Sequence, residues 1–304
     1  MRGHGRVGAA LLAVGLGFFS ASAMAEADGG LLPLGDGFIT AEPAIGNVFS
    51  CQQRFNPNGP GARAEGPWLK GEMWDPAEKV KVQGAVTWPD AMLAITADGE
   101  TRRIRGNNLP FHPTGTFPID PDDPAHYYDR NPNPIRALSF DLALPRVPEP
   151  AATPSCVPMG MIGVSLTGGV LYNALDVRGK DAAAHEILDA CGGHPQGAGQ
   201  YHYHTPSPCM LDTSGPAGGH SDLVGYALDG FGVYGLHGEG GERLSSADLD
   251  ACHGHEHEIA WDGEARTLYH YHLTPDYPYT LGCFRGTPVA QPRFPRPERR
   301  PPPL

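Results

Sequence analysis

LDACGGHPQGAGQYHYH, residues 188–204, returns in altered form as LDACHGHEHEIAWDGEARTLYHYH, residues 249–272. Both stretches contain Leu-Asp-Ala-Cys-x-Gly-His, then a loop of differing length, then Tyr-His-Tyr-His, and both continue to a further cysteine, Cys209 or Cys283. The chain therefore carries an internal duplication, with units at 188–209 and 249–283. Successive side chains on a strand point to opposite faces. His202 and His204 accordingly share one face and Tyr201 and Tyr203 the other. The same holds for His270 and His272 against Tyr269 and Tyr271. Two imidazoles at i and i+2 on a strand sit roughly 6.5–7 Å apart at Cα, near enough to reach one metal ion.

A third histidine in each unit, His194 or His255, follows a glycine just after the cysteine. Three histidines are a common donor set for zinc or copper. Eleven of the fourteen histidines lie between His185 and His272. A purely structural role would not require them to share strand faces. His126 and His237 read as ordinary surface or hydrogen-bonded residues. His220, before Ser221-Asp222, is a further candidate ligand. Asp222 and Asp229 are candidates to orient histidines, as carboxylates commonly do, although Asp229 before Gly230 reads more naturally as a turn. His253 to His257 reads as an acidic, histidine-rich loop, an adventitious metal binder or a solvated segment. If the two Tyr-His-Tyr-His strands lie side by side, their four imidazoles converge on one shared site. The unequal loops favour that arrangement, because a joint site needs only the strands to match.

The surrounding chain bounds the compartment and the partners. Arg2 and Arg6, the apolar run Val7 to Phe19 and Ala23-Met24-Ala25 read as a signal peptide over residues 1–25, cleaved near Ala25. The expected destination is the periplasm or the exterior. The six cysteines, Cys51, Cys156, Cys191, Cys209, Cys252 and Cys283, all follow that segment, and an even number in an oxidising compartment implies disulfides. Six cysteines allow 15 pairings. The order of cysteines within each unit suggests Cys191–Cys209 and Cys252–Cys283, leaving Cys51–Cys156. The formal net charge is −12, with 22 basic and 34 acidic residues. Without Arg2 and Arg6, 20 basic residues face 34 acidic ones, a balance of −14. That balance argues against nucleic acid or an anionic membrane surface as a partner. No later apolar run reaches transmembrane length.

Residues 26–290 read as one mainly β domain, at the margin of α+β, rich in loops and stapled by disulfides. Residues 80–104 read as strands with a hairpin turn at Asp98-Gly99. Leu138–Leu144 reads as a strand. Met161–Leu166 and Val170–Leu175 flank a Thr-Gly-Gly turn, and Leu223–Tyr234 reads as a hairpin. Asp181 caps a predicted helix whose Ala184, Ile187, Leu188 and Cys191 share a face before Gly192. A shorter turn is expected over Ser246–Ala251. Residues 291–304, rich in proline and arginine, read as a disordered tail.

The chain resembles the YHYH-domain family of exported, mostly bacterial proteins. The residues that carry the resemblance are Asn108-Leu-Pro-Phe-His-Pro-Thr-Gly115, Cys191-Gly-Gly-His194, Tyr201–His204, His220-Ser221 with Gly225–Gly235, and Tyr269–His272 with Cys283-Phe-Arg-Gly286. The resemblance adds His112 as a candidate ligand, since it falls within one of these motifs.

The leading expectation is an exported transition-metal-binding protein holding copper or zinc through His202, His204, His270, His272, His194, His255, His220 and His112. A second is a metal-dependent hydrolase or lyase, in which a metal lowers the pKa of bound water. No His-Glu-x-x-His or Gly-x-Ser-x-Gly supports a particular enzyme class, and Glu186, Asp222 and Asp229 are the candidate bases. A third is a carbohydrate- or partner-binding module with tyrosine and histidine lining a metal-free groove.

Overall fold

A computed structural model describes residues 30–210 and 219–294. The expected signal peptide and residues 295–304 of the expected tail lie outside the described residues. The described chain is mainly β, 31% strand against 4% helix, with no closed barrel, which places it on the β side of the expected margin.

A three-stranded antiparallel sheet is formed by Leu93–Asp98 (β1), Thr101–Gly106 (β2) and Phe140–Pro145 (β3). Its hairpin turns at Gly99, which has a positive φ, a conformation that glycine adopts without steric cost. Alternation on β2 buries Arg102, Ile104 and Gly106. The buried Arg102 guanidinium packs over the rings of Tyr226 and Trp261, and its Nη2 donates to Asp262 Oδ1 at 2.8 Å. These contacts tie the small sheet to the large one.

The large sheet has eight strands built as two copies of one four-stranded motif. In the first copy, Met161–Ser165 (β4) pairs antiparallel with Val170–Tyr172 (β5), and Gly193–Pro195 (β6) pairs antiparallel with Tyr201–Tyr203 (β7). Strands β5 and β7 then join in parallel. In the second copy, Leu223–Ala227 (β8) pairs with Gly232–Tyr234 (β9), and Gly254–Trp261 (β10) pairs with Glu264–His272 (β11). Strands β9 and β11 again join in parallel. The copies meet at the antiparallel β4–β8 pair, giving the order β6-β7-β5-β4-β8-β9-β11-β10. The duplication thus extends upstream of the repeated tetrapeptide, to Met161 in one copy and Leu223 in the other.

This order corrects the expectation that the two Tyr-His-Tyr-His strands lie side by side. Strands β5, β4, β8 and β9 separate β7 from β11. Five inter-strand steps of about 4.8 Å put them about 24 Å apart.

The structure also explains why Leu-Asp-Ala-Cys-x-Gly-His recurs. Asp189 Oδ1 accepts from the backbone N–H of Cys191 at 2.9 Å and of Gly193 at 3.1 Å, and the carboxylate also accepts from Tyr201 Oη at 2.9 Å. Asp250 repeats this pattern with Cys252 at 2.8 Å, Gly254 at 3.1 Å and Tyr269 Oη at 2.9 Å. The aspartate therefore shapes the cysteine turn and anchors the first tyrosine of the following strand. Glycine is required before the histidine because a Cβ on Gly193 or Gly254 would collide with the Tyr201 or Tyr269 ring. The position marked x has positive φ in both units, Gly192 at 73° and His253 at 75°. Three disulfides, Cys51–Cys156, Cys191–Cys209 and Cys252–Cys283, match the pairings suggested by the cysteine order.

Three local expectations are corrected. The helix spans only Ala182–His185 (α1), capped as expected by Asp181, whose side chain accepts from Ala184 N–H. Its last carbonyls are taken by distant donors, Lys79 Nζ on Ala183 and Trp68 Nε1 on Ala184. Leu188 leaves the helix to accept from Val82 N–H at 2.9 Å. Tertiary partners therefore end the helix before the apolar periodicity does. Val82 and Val86 form isolated bridges, with Asp189 and Thr114, in place of strands. His253–His257 is no loop: Gly254 onwards belongs to β10, and His253 is buried with its Nε2 bonded to Thr274 Oγ1 at 2.9 Å. The shorter expected turn is a 3₁₀ segment at Ser246–Asp248, closed by a capping box between Ser245 and Asp248.

Candidate metal centres

The expected alternation holds on both repeated strands. Tyr201, Tyr203, Tyr269 and Tyr271 are all buried, and their hydroxyls meet Asp189, His112 and Thr167, Asp250, and Asp229 respectively. The tyrosines therefore line no open groove. The histidines turn to the opposite face and gather in two clusters.

The first cluster comprises Glu186, His194, His202 and His204, with one donor atom from each lying within 4.8 Å of the others. Register supplies part of the geometry, because His194 on β6 stands directly opposite His202 on β7. His204 follows two residues later on the same face. Glu186, at the C-terminal cap of α1, brings its Oε2 to 3.1 Å from His194 Nε2 and 3.2 Å from His204 Nε2. His202 Nδ1 donates to Gln200 carbonyl at 3.0 Å, and His204 Nδ1 donates to Asn173 carbonyl at 2.5 Å. With both Nδ1–H groups so committed, both Nε2 atoms carry lone pairs, yet they face each other at 3.0 Å. Two lone pairs cannot satisfy one another; a cation between them can. His194 Nδ1 is buried without a hydrogen-bond partner. Donors on a tetrahedral zinc at about 2.1 Å are about 3.4 Å apart, close to the spacings here.

The second cluster comprises His220, His255, His257, His270 and His272. His255 on β10 stands opposite His270 on β11, repeating the register of His194 and His202. His270 Nδ1 donates to Leu268 carbonyl at 3.0 Å, His272 Nδ1 to Gly235 carbonyl at 2.7 Å and His220 Nδ1 to Ser221 carbonyl at 2.7 Å. Their free Nε2 atoms converge, His220 lying 3.1 Å from both His270 and His272. The Nε2 atoms of His255 and His257 are buried and unpartnered. Carbonyls, and not the carboxylates of Asp222 and Asp229, thus set the tautomers. Asp222 is exposed, and Asp229 accepts from Tyr271 Oη and the Gly286 N–H on the tyrosine side.

Burial favours the neutral form of His202, His255, His270 and His272. Burial, reinforced by neighbouring imidazoles, lowers His270 to about 3, His272 to about 2 and His255 to about 4, and pushes His202 well below its ordinary value. A neutral imidazole is the form that binds a metal. Burial alone would raise Glu186, but His194 and His204 outweigh it and hold the carboxyl well below its usual range. Burial also opposes charge on His194, and Glu186 overcomes it, so His194 is raised.

His112 joins neither cluster. It lies on the tyrosine side, its Nε2 2.5 Å from Tyr203 Oη, and near Cys191 and Cys209, whose sulfurs are committed to a disulfide. Two donors carried weaker signals in the sequence. His257 shares the His-x-His spacing of the tetrapeptides, through His255-Glu256-His257, but reads as part of a loop. Glu186 reads only as a candidate base, since nothing in its spacing links a helix-end carboxylate to the histidine face.

Residues 142–242 match the family model described as "YHYH protein". The matched segment carries the YHYH domain. The match holds the whole first cluster and His220, and ends before the second Tyr-His-Tyr-His strand. It is narrower than the stretch over which the family's motifs are recognised in the sequence, which runs from Asn108 to Gly286. No curated protein and no solved structure matches the chain. The second YHYH strand, although outside the matched segment, repeats the strand pairing of the first.

Proposed function

We propose that this YHYH protein is an exported binder of transition-metal ions, copper or zinc, with one ion at each histidine cluster. The observation that carries the reading is the set of Nε2 lone pairs aimed at one another in both clusters, with each opposing Nδ1–H spent on a carbonyl. That arrangement is unfavourable without a cation and is the usual preparation of a histidine ligand. All-nitrogen and mixed nitrogen–oxygen donor sets suit zinc and Cu(II), with Cu(II) binding more tightly at equilibrium.

Export is supported by the three disulfides, which suit an oxidising compartment. Among the described residues, no helix is long and apolar enough to cross a membrane.

The test is elemental analysis of protein purified without a histidine tag and dialysed against zinc or copper. Two equivalents per chain are expected. Protein that takes up no stoichiometric metal would overturn the proposal. For export, N-terminal sequencing of protein from a fractionated native host should begin near Glu26; an intact Met1 on cytoplasmic protein would contradict it.

A further inference from the structure

We infer that the two clusters do different work: the Glu186 cluster retains its ion as part of the fold, while the five-histidine cluster exchanges its ion with the surroundings. The inference rests on the metal-binding reading above and assigns a separate role to each site.

Three differences carry it. The first is enclosure. His194, His202 and His204 are each at most 5% exposed, and Tyr172 stacks on the His202 ring with centroids 3.8 Å apart. In the other cluster only His270 and His272 are fully buried; His220, His255 and His257 are partly exposed.

The second difference is charge. The first cluster contains one carboxylate, Glu186, among its four donors. Three imidazoles and one carboxylate supply four donors, enough to close a tetrahedral set as structural zinc sites do. The second contains five imidazoles and no carboxylate, so no donor in the set offsets the charge of a divalent ion there. Glu239 stands outside the set, behind His257 and 3.1 Å from its Nδ1, with its own side chain 64% exposed.

The third difference is donor number and origin. All donors of the first cluster come from residues 186–204, a stretch held at one end by the Cys191–Cys209 disulfide. The second cluster draws on His220 ahead of β8, His255 and His257 on β10, and His270 and His272 on β11. Five donors exceed a tetrahedral set by one. A partly exposed histidine can therefore detach while four remain, which gives ligand exchange a stepwise route.

The test is release of zinc from the doubly loaded protein into excess EDTA, followed with a chromophoric zinc indicator. Two phases of one equivalent each are expected, the faster by about tenfold or more, equivalent to about 1.4 kcal/mol in barrier. Replacing both enclosed donors, His270→Ala with His272→Ala, should abolish the fast phase and leave the slow one unchanged. His194→Ala should abolish the slow phase. The wild-type release curve needs no variant, so the result stands even if one of them misfolds. Loss of both equivalents at one rate, or loss of the slow phase in the His270→Ala, His272→Ala variant, would overturn the division of roles while leaving metal binding intact. Failure to load any zinc would overturn both.

Discussion

His202 and His204 meet through Nε2 atoms 3.0 Å apart while their Nδ1 atoms are bonded to the carbonyls of Gln200 and Asn173. His270 and His272 repeat this arrangement with Leu268 and Gly235, about five strands away across the sheet. Because the two pairs are far apart, they should act independently, as distant sites usually do. His202→Ala should lose the ion of the first cluster only, and replacing His270 and His272 together by alanine that of the second only. Elemental analysis should find about one equivalent in each of these variants and none when they are combined. Loss of both ions in either variant would mean that the clusters are coupled.

Asp189 and Asp250 hold equivalent places but differ in burial. Asp189 is 1% exposed and also accepts from Gly115 N–H at 3.0 Å, whereas Asp250 is exposed. Asp189→Ala leaves three buried N–H groups and the Tyr201 hydroxyl without their acceptor, a loss on the order of 4 kcal/mol or more. Asp250→Ala should cost about 1–2 kcal/mol, since water can replace much of what is lost. Urea denaturation of the metal-free proteins measures both. Equal losses would show that burial does not decide the difference.

His253 gives a pH signature separate from metal binding. Burial lowers its pKa from 6.5 to about 3, so between these values the unfolded chain binds a proton that the folded chain refuses. Its contribution to stability is complete above about pH 6.5 and is lost as pH falls toward 3, at about 1.4 kcal/mol per pH unit. His253→Gly removes the titrating group, and it places at this positive-φ position the residue found at Gly192. Stability of the metal-free variant between pH 6 and pH 4 should therefore fall less steeply than that of the wild type, by about that slope. Identical slopes would show that His253 accepts a proton without unfolding.

The disulfides close loops of very different size, with sequence separations of 105, 31 and 18 residues. In the chain-entropy model a loop of about 100 residues contributes about 4.7 kcal/mol and one of about 15 residues about 3 kcal/mol. Replacing both Cys51 and Cys156 by serine should thus destabilise the protein more than replacing Cys191 and Cys209, measured by denaturant unfolding without metal. The reverse order would point to native-state packing around Cys191 as the larger contribution.

Much of this architecture is legible in local patterns. Tyr-His-Tyr-His has the period of a strand, and alternation alone separates buried tyrosines from converging histidines. The cysteine order within each repeated unit matches the disulfides. The Asp98-Gly99 and Thr-Gly-Gly turns mark hairpins because their geometry is set by a few adjacent residues. The strand and turn signals each act over a span shorter than one hairpin.

What only the tertiary structure decided depends on strand order and on side chains arriving from elsewhere. Unequal loops suggested one shared site, but the central β4–β8 pair holds the repeats apart and makes two. The periodicity of Ala184, Ile187, Leu188 and Cys191 suggested a longer helix; Trp68, Lys79 and Val82 ended it by taking its carbonyls for themselves. Glu186 became a candidate ligand because that early ending leaves its side chain beside His194 and His204. His112, close in motif to a ligand, was carried to the tyrosine side. The sequence by itself determined which faces are histidine and which are tyrosine, since that follows from the two-residue period of a strand. The number of sites and their full donor sets were left to the sheet, because hydrogen bonding between strands distant in sequence has no local signal.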